Sequence, residues 1–367
     1  MSPGIISPVM ADAGGRLFHA PGIEAAGMKG GLFFTLGADD LVELPSGSEL
    51  FTLPGRAAVG YDPRAGRFTR IDGGPGQVSG DAAYSAVAAF VSPGYTVTHN
   101  SAYIESDRCR ILPLFSYAAV CYYRGRYHAA CVRVDREKRQ DLRCMDTRLI
   151  RRNAARFAGM MKGNRLVRHL TVCALTYGCP AAKNFFLHRY EAPLPSSPSC
   201  NSRCLGCISH QPGNRCPVTQ PRIKFVPSPE EIADTALCHI KNTRDPVVSF
   251  GQGCEGEPLL AWPVIEKAVR LIRSKTAKGI INLNTNASVP DRVARLADAG
   301  LDSMRVSMNS AREKYYERYY KPRGYSFKDV LESVRLASKK GCFVSVNYLV
   351  MPGFSDSRDE IRAFRRL

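Results

Sequence analysis

From about residue 180 to the end of the chain, short apolar runs alternate with segments of helical periodicity. The apolar runs are Phe185–Tyr190, Val247–Phe250, Gly279–Leu283, Ser303–Met308 and Cys342–Val350. Ser228 marks one helix start, and Gly300 and Gly341 mark two helix ends. Alternation at this spacing predicts parallel strands joined by right-handed helical crossovers. The sequence therefore predicts an α/β fold whose ligands bind at the carboxyl ends of the strands.

The earlier part of the chain has a different pattern. Residues 1–145 are rich in Gly and Pro, with short apolar runs between turn signals, and we predict a β-rich N-terminal domain of unknown function there. A hairpin is expected where β-prone residues flank Arg124-Gly125-Arg126. Residues 146–180 are predicted to form a short, basic helical linker, and residues 181–367 the α/β core.

Positive charge is concentrated in the middle of the chain. Residues 108–170 hold 16 Lys and Arg against 4 Asp and Glu, whereas residues 1–107 hold 6 against 11. The net charge of the whole chain is +18. A basic block of this size indicates either an anionic partner, such as RNA, DNA, a nucleotide or an acidic peptide, or a solvated face of long cationic side chains.

Composition excludes several classes of protein. The chain has 44% hydrophobic and 23% charged residues, which is typical of a globular protein. No apolar run is long enough to span a membrane, and residues 1–8 lack the charged and apolar regions of a secretory signal. We therefore expect a cytoplasmic location without a membrane partner. The 13 cysteines are then expected to be reduced, as ligands, reactive groups or small core residues.

Three of these cysteines, Cys200, Cys204 and Cys207, lie within eight residues on a loop that follows the first predicted strand. Soft thiolates at this density select an iron–sulfur cluster or zinc. In a [4Fe–4S] cluster, three thiolates hold three irons and leave the fourth iron open to an outside ligand. A structural zinc site is instead closed by four ligands, and His210 and Cys216 are near enough in sequence to contribute.

The Cys-x3-Cys-x2-Cys spacing resembles that of the radical S-adenosylmethionine (SAM) superfamily. Residues 255–258, Glu-Gly-Glu-Pro, are similar to the Gly-Gly-Glu-Pro motif of that family, and Leu301–Asn309 with the tyrosines after it resembles the family's fourth strand and next helix. Two positions depart from the family pattern. Gly206 stands where an aromatic residue is usual, and Glu255 where glycine is usual. The resemblance covers about residues 180–367 and indicates a divergent subgroup.

The resemblance implies a partial parallel (β/α) barrel that uses a [4Fe–4S] cluster and SAM as cofactors. Its metal ligands would be Cys200, Cys204 and Cys207. The residues implied to position SAM are Gly256, Glu257, Ser307 and Asn309. Barrels of the family normally have six strands, whereas five are identifiable here and the sixth is missing, so we expect a core that is truncated at its C-terminus. No catalytic acid or base is assigned.

The implied activity is reductive cleavage of SAM to a 5′-deoxyadenosyl radical, which abstracts hydrogen from a substrate. A reduced flavodoxin- or ferredoxin-like protein would donate the electron. The basic block favours RNA, or a peptide or protein, as the substrate. The alternative function is a zinc-ribbon-like nucleic-acid-binding module built from Cys200, Cys204, Cys207 and Cys216, which would explain the charge but not the motifs at the strand ends.

Other cysteines leave two interpretations open. Cys173 and Cys179 could help to hold an auxiliary cluster with Cys216 or Cys144, or could be buried as small hydrophobic residues. Cys254 is expected to be a small residue at a strand end rather than a catalytic thiol.

Overall fold

A computed structural model of the chain describes residues 5–71, 84–107, 109–214 and 216–367. Two predictions partly concern residues outside these ranges. They are the absence of a secretory signal, for residues 1–4, and the basic block, for Arg108. The chain divides into two compact units. The first comprises Met1–Arg143 and Val350–Arg358, and the second comprises Cys144–Leu349 and Asp359–Leu367.

The first unit is built from short strands. They are β1 (Ser7–Ala11), β2 (Leu17–His19), β3 (Glu24–Lys29), β4 (Leu32–Thr35), β5 (Val42–Glu43), β6 (Glu49–Asp62), β7 (Arg67–Arg70), β8 (Ser85–Phe90), β9 (Tyr95–Val97), β10 (Asn100–Ser101), β11 (Tyr103–Glu105), β12 (Ala118–Tyr123), β13 (Arg126–Ala129) and β14 (Cys131–Arg133). The prediction of a β-rich N-terminal region is therefore confirmed.

Among the described residues, twelve of these strands form one sheet. Its main path runs β2-β1-β8-β6-β3-β10-β12-β13-β5, with β4, β7 and β11 paired to its sides. Strands β1 and β8 both pair with β12 as well as with each other, so the sheet curls back on itself. Strand β8 is covered on both faces, because Val87 and Ala89 pack into one apolar cluster and Ala86 and Ala88 into another.

The predicted hairpin is confirmed at β12 and β13. These strands pair antiparallel from Val120 opposite Ala129 to Tyr123 opposite Arg126. The two turn residues, Arg124 and Gly125, have φ angles of 50° and 78°. Two consecutive positive φ angles are typical of the two-residue turns that match strand twist.

The second unit carries the helices and a parallel sheet. Its elements are α1 (Thr147–Met160), α2 (Arg165–Leu175), α3 (Pro180–Phe186), β15 (Glu191–Pro193), α4 (Pro229–Asn242), β16 (Val247–Phe250), α5 (Trp262–Lys275), β17 (Ile280–Thr285), α6 (Pro290–Ala299), β18 (Ser303–Met308), α7 (Glu313–Tyr320), α8 (Phe327–Lys339), β19 (Phe343–Tyr348) and α9 (Arg358–Phe364). Among the described residues, no helix is long and apolar enough to cross a bilayer.

The parallel sheet has the order β15-β16-β17-β18-β19, and each neighbouring pair is parallel. The predicted α/β class with five parallel strands is confirmed. Side chains alternate along the strands, so apolar residues such as Leu283 and Val306 are fully buried on one face. The other face is polar. There, Glu191 accepts hydrogen bonds from Ser249 (2.5 Å) and Arg305 (2.7 Å), which links the first, second and fourth strands of the sheet.

The helix start predicted at Ser228 is confirmed by its contacts. The Ser228 hydroxyl accepts a hydrogen bond from the Glu231 amide at 3.2 Å, and the Glu231 carboxylate accepts one from the Ser228 amide at 2.8 Å. This reciprocal pair is a capping box, which satisfies two amide donors that the first turn leaves free.

The first predicted strand is wrong. Phe185–Tyr190 does not form a strand, because α3 ends at Phe186 and β15 begins only at Glu191. Pro180 occupies the first turn of α3, where its fixed φ favours a helix. Phe185 packs on Phe157 of α1 with the ring centroids 5.2 Å apart, so the apolar run serves a helical core. A short apolar run does not distinguish a strand from a buried helix end.

Candidate active site

The three cysteines of the predicted cluster motif lie on residues 200–207, which follow β15 and which we call the thiol loop. Its backbone is held by the end of helix α7. The amide of Arg203 donates to the carbonyl of Tyr320 at 2.9 Å. The amide of Leu205 donates to the carbonyl of Tyr319 at 3.0 Å. The position of the thiol loop therefore depends on the helix that follows the fourth strand of the parallel sheet.

All three cysteines line one cleft of about 540 Å³. The remaining lining comes from the last residues of the parallel strands and from the segment after β16, and it includes Gly251, Glu255, Gly256, Glu257, Asn284, Ser307 and Asn347. Since these residues lie at the carboxyl ends of parallel strands, the cleft occupies the position where such sheets bind ligands. The structure thus brings Gly256, Glu257 and Ser307 to the same cleft as the thiol loop.

The spacing of the three thiols distinguishes between kinds of metal centre. Within the part of the chain that the structure describes, His169, Cys173 and Cys254 form the one set of three potential ligands whose atoms all lie within 4.8 Å of one another. At least one pair of sulfurs in the thiol loop is therefore more than 4.8 Å apart. Donors around a single tetrahedral zinc ion would be about 3.4–3.8 Å apart, given zinc–ligand distances of about 2.0–2.3 Å. A cluster with several irons suits the wider spacing better than one zinc ion.

The electrostatics of the thiol loop favour a positively charged occupant. Burial, together with the neighbouring Cys200 and Cys207 thiolates, raises the pKa of Cys204 to about 12. Burial also raises the pKa of Cys200. The Arg222 guanidinium donates to the Cys207 sulfur at 3.6 Å. Because three thiolates repel one another in a poorly solvated site, they need a cationic metal centre to stay ionised together.

Sequence reasoning missed Arg222. It lies fifteen residues beyond Cys207, and its guanidinium also donates to the Ser209 hydroxyl at 3.3 Å. Nothing in the sequence pattern of that irregular segment indicates this contact, because it depends on how the chain returns to the cleft.

Glu255, which stands where the family has glycine, holds two strand-end segments together. One of its carboxylate oxygens accepts hydrogen bonds from the amides of Ser196 (2.7 Å) and Ser197 (2.9 Å). The other accepts from the amides of Gly251 (2.6 Å) and Gln252 (2.9 Å). Burial raises the pKa of Glu255 to about 7, while the four amide donors favour the charged form and limit the rise. This departure from the family pattern is therefore structural.

Glu255→Gln should destabilise the second unit. The amide nitrogen of glutamine would face two backbone donors, and each buried donor left without an acceptor costs about 1–3 kcal/mol. We expect a loss of about 2–4 kcal/mol in the free energy of unfolding, measured by chemical denaturation. Glu317→Gln changes the same group at an exposed position of α7 and should change the stability little. Equal stability of the two variants would contradict the role of Glu255.

Gly256 is needed because of close backbone contact with the thiol loop. A Cβ atom at this position would lie 2.0 Å from the carbonyl oxygen of Ser199 and 3.2 Å from the amide nitrogen of Cys200. The Gly256 amide also donates to the carbonyl of Ser197 at 2.6 Å. The motif after β16 therefore packs directly against the chain that enters the thiol loop.

The second departure from the family pattern also has a structural reason. At Gly206, where an aromatic residue is usual, a Cβ atom would lie 2.4 Å from the hydroxyl oxygen of Tyr319. Tyr319 and Tyr320 of α7 line the cleft. An aromatic ring thus reaches the thiol loop from α7 instead of from the loop itself. Tyr316 of the same helix is fully buried, as expected for a packing residue.

Glu257 connects the motif after β16 to the end of β17. Its carboxylate accepts hydrogen bonds from the hydroxyl of Thr285 (2.5 Å) and from the amides of Asn286 (2.8 Å) and Leu259 (3.1 Å). Burial raises the pKa of Glu257 to about 7. The Asn286 side chain in turn donates to the Asn201 side chain at 2.8 Å, so this network also reaches the thiol loop.

Ser307 and Asn309, the last two residues predicted to position SAM, differ in their position relative to the cleft. Ser307 lines the cleft. Asn309 lies just beyond β18, is 1% exposed and is not part of the cleft lining. Its Oδ1 atom is buried and has no hydrogen-bond partner among the described residues. A buried acceptor of this kind is costly unless a ligand or water satisfies it. The roles of both residues toward SAM stay predictions.

Comparison with known proteins gives a family match and distant relatives. The family described as the Radical SAM superfamily matches residues 194–365. "FeMo cofactor biosynthesis protein NifB" of Klebsiella pneumoniae is 26% identical over 185 residues, which cover 46% of this chain and 39% of that protein. "Probable dual-specificity RNA methyltransferase RlmN" of Thermotoga petrophila is 31% identical over 182 residues, covering 47% and 49%.

A third relative is "GTP 3′,8-cyclase" of Aquifex aeolicus, 28% identical over 175 residues, which cover 46% of this chain and 50% of that protein. The chain spans half or less of the length of these three relatives. The matched region contains the thiol loop, the motif at residues 255–258 and the strand ends that line the cleft. Residues 194–365 of this chain are therefore similar to the Radical SAM superfamily, and this stretch includes the candidate site.

Proposed function

We propose that the chain is a radical SAM enzyme in which Cys200, Cys204 and Cys207 hold a [4Fe–4S] cluster. The observation that carries this proposal is the meeting of three widely spaced thiols and the family motif in one cleft at the strand ends. When bound, the cluster and SAM supply one-electron reductive cleavage of SAM and a 5′-deoxyadenosyl radical for hydrogen abstraction. The remaining chemistry of the site is positioning, which this chain's own residues perform.

The positioning residues in this proposal are Gly256, Glu257, Ser307 and Asn309. Gly256 allows the backbone after β16 to approach the thiol loop. Glu257 fixes that backbone to the end of β17 through Thr285 and Asn286. Arg222 adds a positive charge beside Cys207 and donates a hydrogen bond to its sulfur. A reduced flavodoxin- or ferredoxin-like protein would supply the electron, and a cytoplasmic location would keep the thiols reduced.

Metal analysis of protein purified without oxygen tests the cluster. We expect brown protein that contains iron and acid-labile sulfide, both lost when Cys200, Cys204 and Cys207 are replaced together by alanine. Protein that contains zinc but neither iron nor sulfide would contradict the proposal and favour the zinc-ribbon-like module.

RNA is the substrate class that we propose, on the basis of charge on helix α1. Arg148, Arg151 and Arg152 are exposed, whereas Ile150 and Phe157 face the core. Among the described residues, none of these three arginines forms an ion pair. Unpaired cations along one helix face suit a phosphate backbone. The relative RlmN is described as an RNA methyltransferase, which agrees with this choice.

The salt dependence of tRNA binding tests whether the three arginines of α1 contact phosphate groups. Replacing Arg148, Arg151 and Arg152 by alanine should lower the slope of log affinity against log salt by about 2–3 units, because each lost phosphate contact contributes about 0.7–0.9. Gel shifts at several salt concentrations measure the slope. A matched triple variant of Arg244, Arg335 and Arg362, which are exposed elsewhere in the second unit, should keep it. Salt-independent binding would contradict RNA and favour a peptide or protein substrate.

A further inference from the structure

A second cluster of potential metal ligands lies in the second unit, outside the thiol loop. It consists of His169 and Cys173 on α2 and of Cys254 in the segment after β16. One ligand atom from each lies within 4.8 Å of the other two. The Cys173 sulfur is 3.5 Å from Nε2 of His169. Cys173 is 1% exposed and Cys254 is 2% exposed, so two of the three donors are withdrawn from solvent.

Local structure brings these side chains together. His169 and Cys173 are four residues apart on α2, so they lie on the same face of the helix one turn apart. The start of α2 is tied to α4 by an ion pair between Arg165 and Glu231 at 2.6 Å. Cys254 is held where its carbonyl accepts a hydrogen bond from the Ile223 amide at 2.7 Å. The three donors therefore come from two separately anchored segments.

We propose that His169, Cys173 and Cys254 bind one zinc ion. One imidazole nitrogen and two thiolates form a borderline-soft donor set, which zinc prefers. Zinc–nitrogen and zinc–sulfur distances of about 2.0–2.3 Å place tetrahedral donors about 3.4–3.8 Å apart. The 3.5 Å separation of Cys173 and His169 matches this value. The set is too compact for the corners of an iron–sulfur cube, in contrast to the thiol loop.

Cys179 lies outside the compact set of three and would have to move closer to take the fourth position in this proposal. Its amide donates to the carbonyl of Cys173 at 2.9 Å, which keeps the two residues adjacent. Its thiolate interacts electrostatically with both Cys173 and Cys254. A structural zinc site is normally closed by four protein ligands, and three cysteines with one histidine are a common set.

The sulfurs of Cys173 and Cys254 interact directly. A hydrogen bond from Cys254 to Cys173 lowers the pKa of Cys173, and the same bond raises the pKa of Cys254. A divalent cation bound between them would stabilise both sulfurs as thiolates.

The zinc ion would stabilise the motif that faces the thiol loop. Cys254 directly precedes Glu255, Gly256 and Glu257, so a bond from its sulfur to zinc would join this motif to α2. This consequence for SAM binding rests on the proposed function, whereas zinc binding itself does not. The sequence suggested an auxiliary cluster for Cys173 and Cys179 with Cys216 or Cys144; the geometry points instead to Cys254 and His169 as their partners.

The test uses the full chain with Cys200, Cys204 and Cys207 replaced by alanine, so that an iron–sulfur cluster on the thiol loop cannot interfere. We expect this variant to contain about one zinc ion per chain by mass spectrometric metal analysis. Adding Cys173→Ser or His169→Ala should weaken zinc affinity by more than about 100-fold, beyond the loss from an outer-shell partner. Adding Cys238→Ser, a half-buried cysteine of α4, is the control and should leave the zinc content unchanged.

Cobalt substitution tests the geometry without any change in the proposed site. Co²⁺ in the same thiol-loop variant should give thiolate-to-cobalt charge transfer and the intense visible bands of tetrahedral coordination. Absence of bound metal, an octahedral spectrum, iron with sulfide at this site, or a Cys173–Cys254 disulfide in protein kept reduced would each overturn the proposal. Because this variant lacks the cluster ligands, failure here is distinguishable from failure of the proposed radical SAM function.

Discussion

Cys204→Ala should remove most of the iron from the protein and all measurable cleavage of SAM. Cys204 is the middle ligand of the thiol loop, and the pKa of its thiol is raised to about 12 by burial and by the neighbouring cysteines. With one of three thiolates lost, no other described thiol in the cleft replaces it. Iron and sulfide analysis, together with chromatographic measurement of 5′-deoxyadenosine after reduction, would show the loss.

The matched control for this prediction is Cys216→Ala. Cys216 follows the thiol loop in sequence but does not line the cleft. It is also the fourth ligand of the alternative zinc-ribbon-like module, so that module predicts a large effect of the substitution. The radical SAM proposal predicts unchanged iron content and SAM cleavage in Cys216→Ala. Full turnover by Cys204→Ala would refute the assignment of the cluster ligands.

Gly256→Ala should weaken SAM binding strongly while leaving the metal ligands intact. The new Cβ atom would lie 2.0 Å from the carbonyl oxygen of Ser199. The nearest atoms all belong to the backbone of Ser199 and Cys200, so no flexible side chain can move away to relieve the overlap. Overpacking of this kind costs about 1–3 kcal/mol, and the strand-end motif must separate from the thiol loop. We expect lower stability and at least about tenfold weaker SAM binding, since a loss of 1.4 kcal/mol corresponds to that factor.

Gly159→Ala is the control for Gly256→Ala. Gly159 lies in helix α1, and a Cβ atom there meets no atom within 4 Å. Alanine is favoured over glycine inside a helix by about 0.5–1 kcal/mol, so this variant should be as stable as the parent or slightly more stable. Thermal unfolding and equilibrium SAM binding measure both effects. Unaltered SAM binding by Gly256→Ala would contradict the close packing of the two segments.

The parallel sheet could be predicted well because its signals are local. The strands Val247–Phe250 and Ser303–Met308 have the predicted bounds, and the capping residue Ser228 correctly marks the start of α4. The prediction of a strand at Phe185–Tyr190 is wrong because a short apolar run fits either a strand or a helix end. Packing on Phe157 decides in favour of the helix end. Local periodicity therefore predicts an element well where it is supported by a cap or by alternation.

The candidate site could be predicted only where its residues are close in sequence. The cysteine spacing identifies the thiol loop, and the motif at residues 255–258 identifies the wall that faces it. The role of Glu255 depends on amides at Ser196 and Ser197, almost sixty residues earlier in the chain. The aromatic contact at Gly206 likewise comes from Tyr319. Such contacts follow from the order of the strands, which the sequence pattern does not reveal.

The N-terminal region shows the same limit. Its β-rich character could be predicted from turn signals, but its sheet order could not. Strand β3 pairs with β6 and β10, and β12 pairs with β1 and β8, so most neighbours are distant in sequence. Pairing of this kind depends on the whole set of strands rather than on any single segment.

One iron of the proposed cluster must be open to SAM, and low-temperature electron paramagnetic resonance tests this most directly. The oxygen-free, reduced protein should give the signal of a reduced [4Fe–4S] cluster, and its g values should shift when SAM is added. The Cys204→Ala variant is the negative control and should lack this signal. A cluster signal that SAM leaves unchanged would mean that a fourth protein ligand occupies the open iron, and would contradict radical SAM chemistry at the thiol loop.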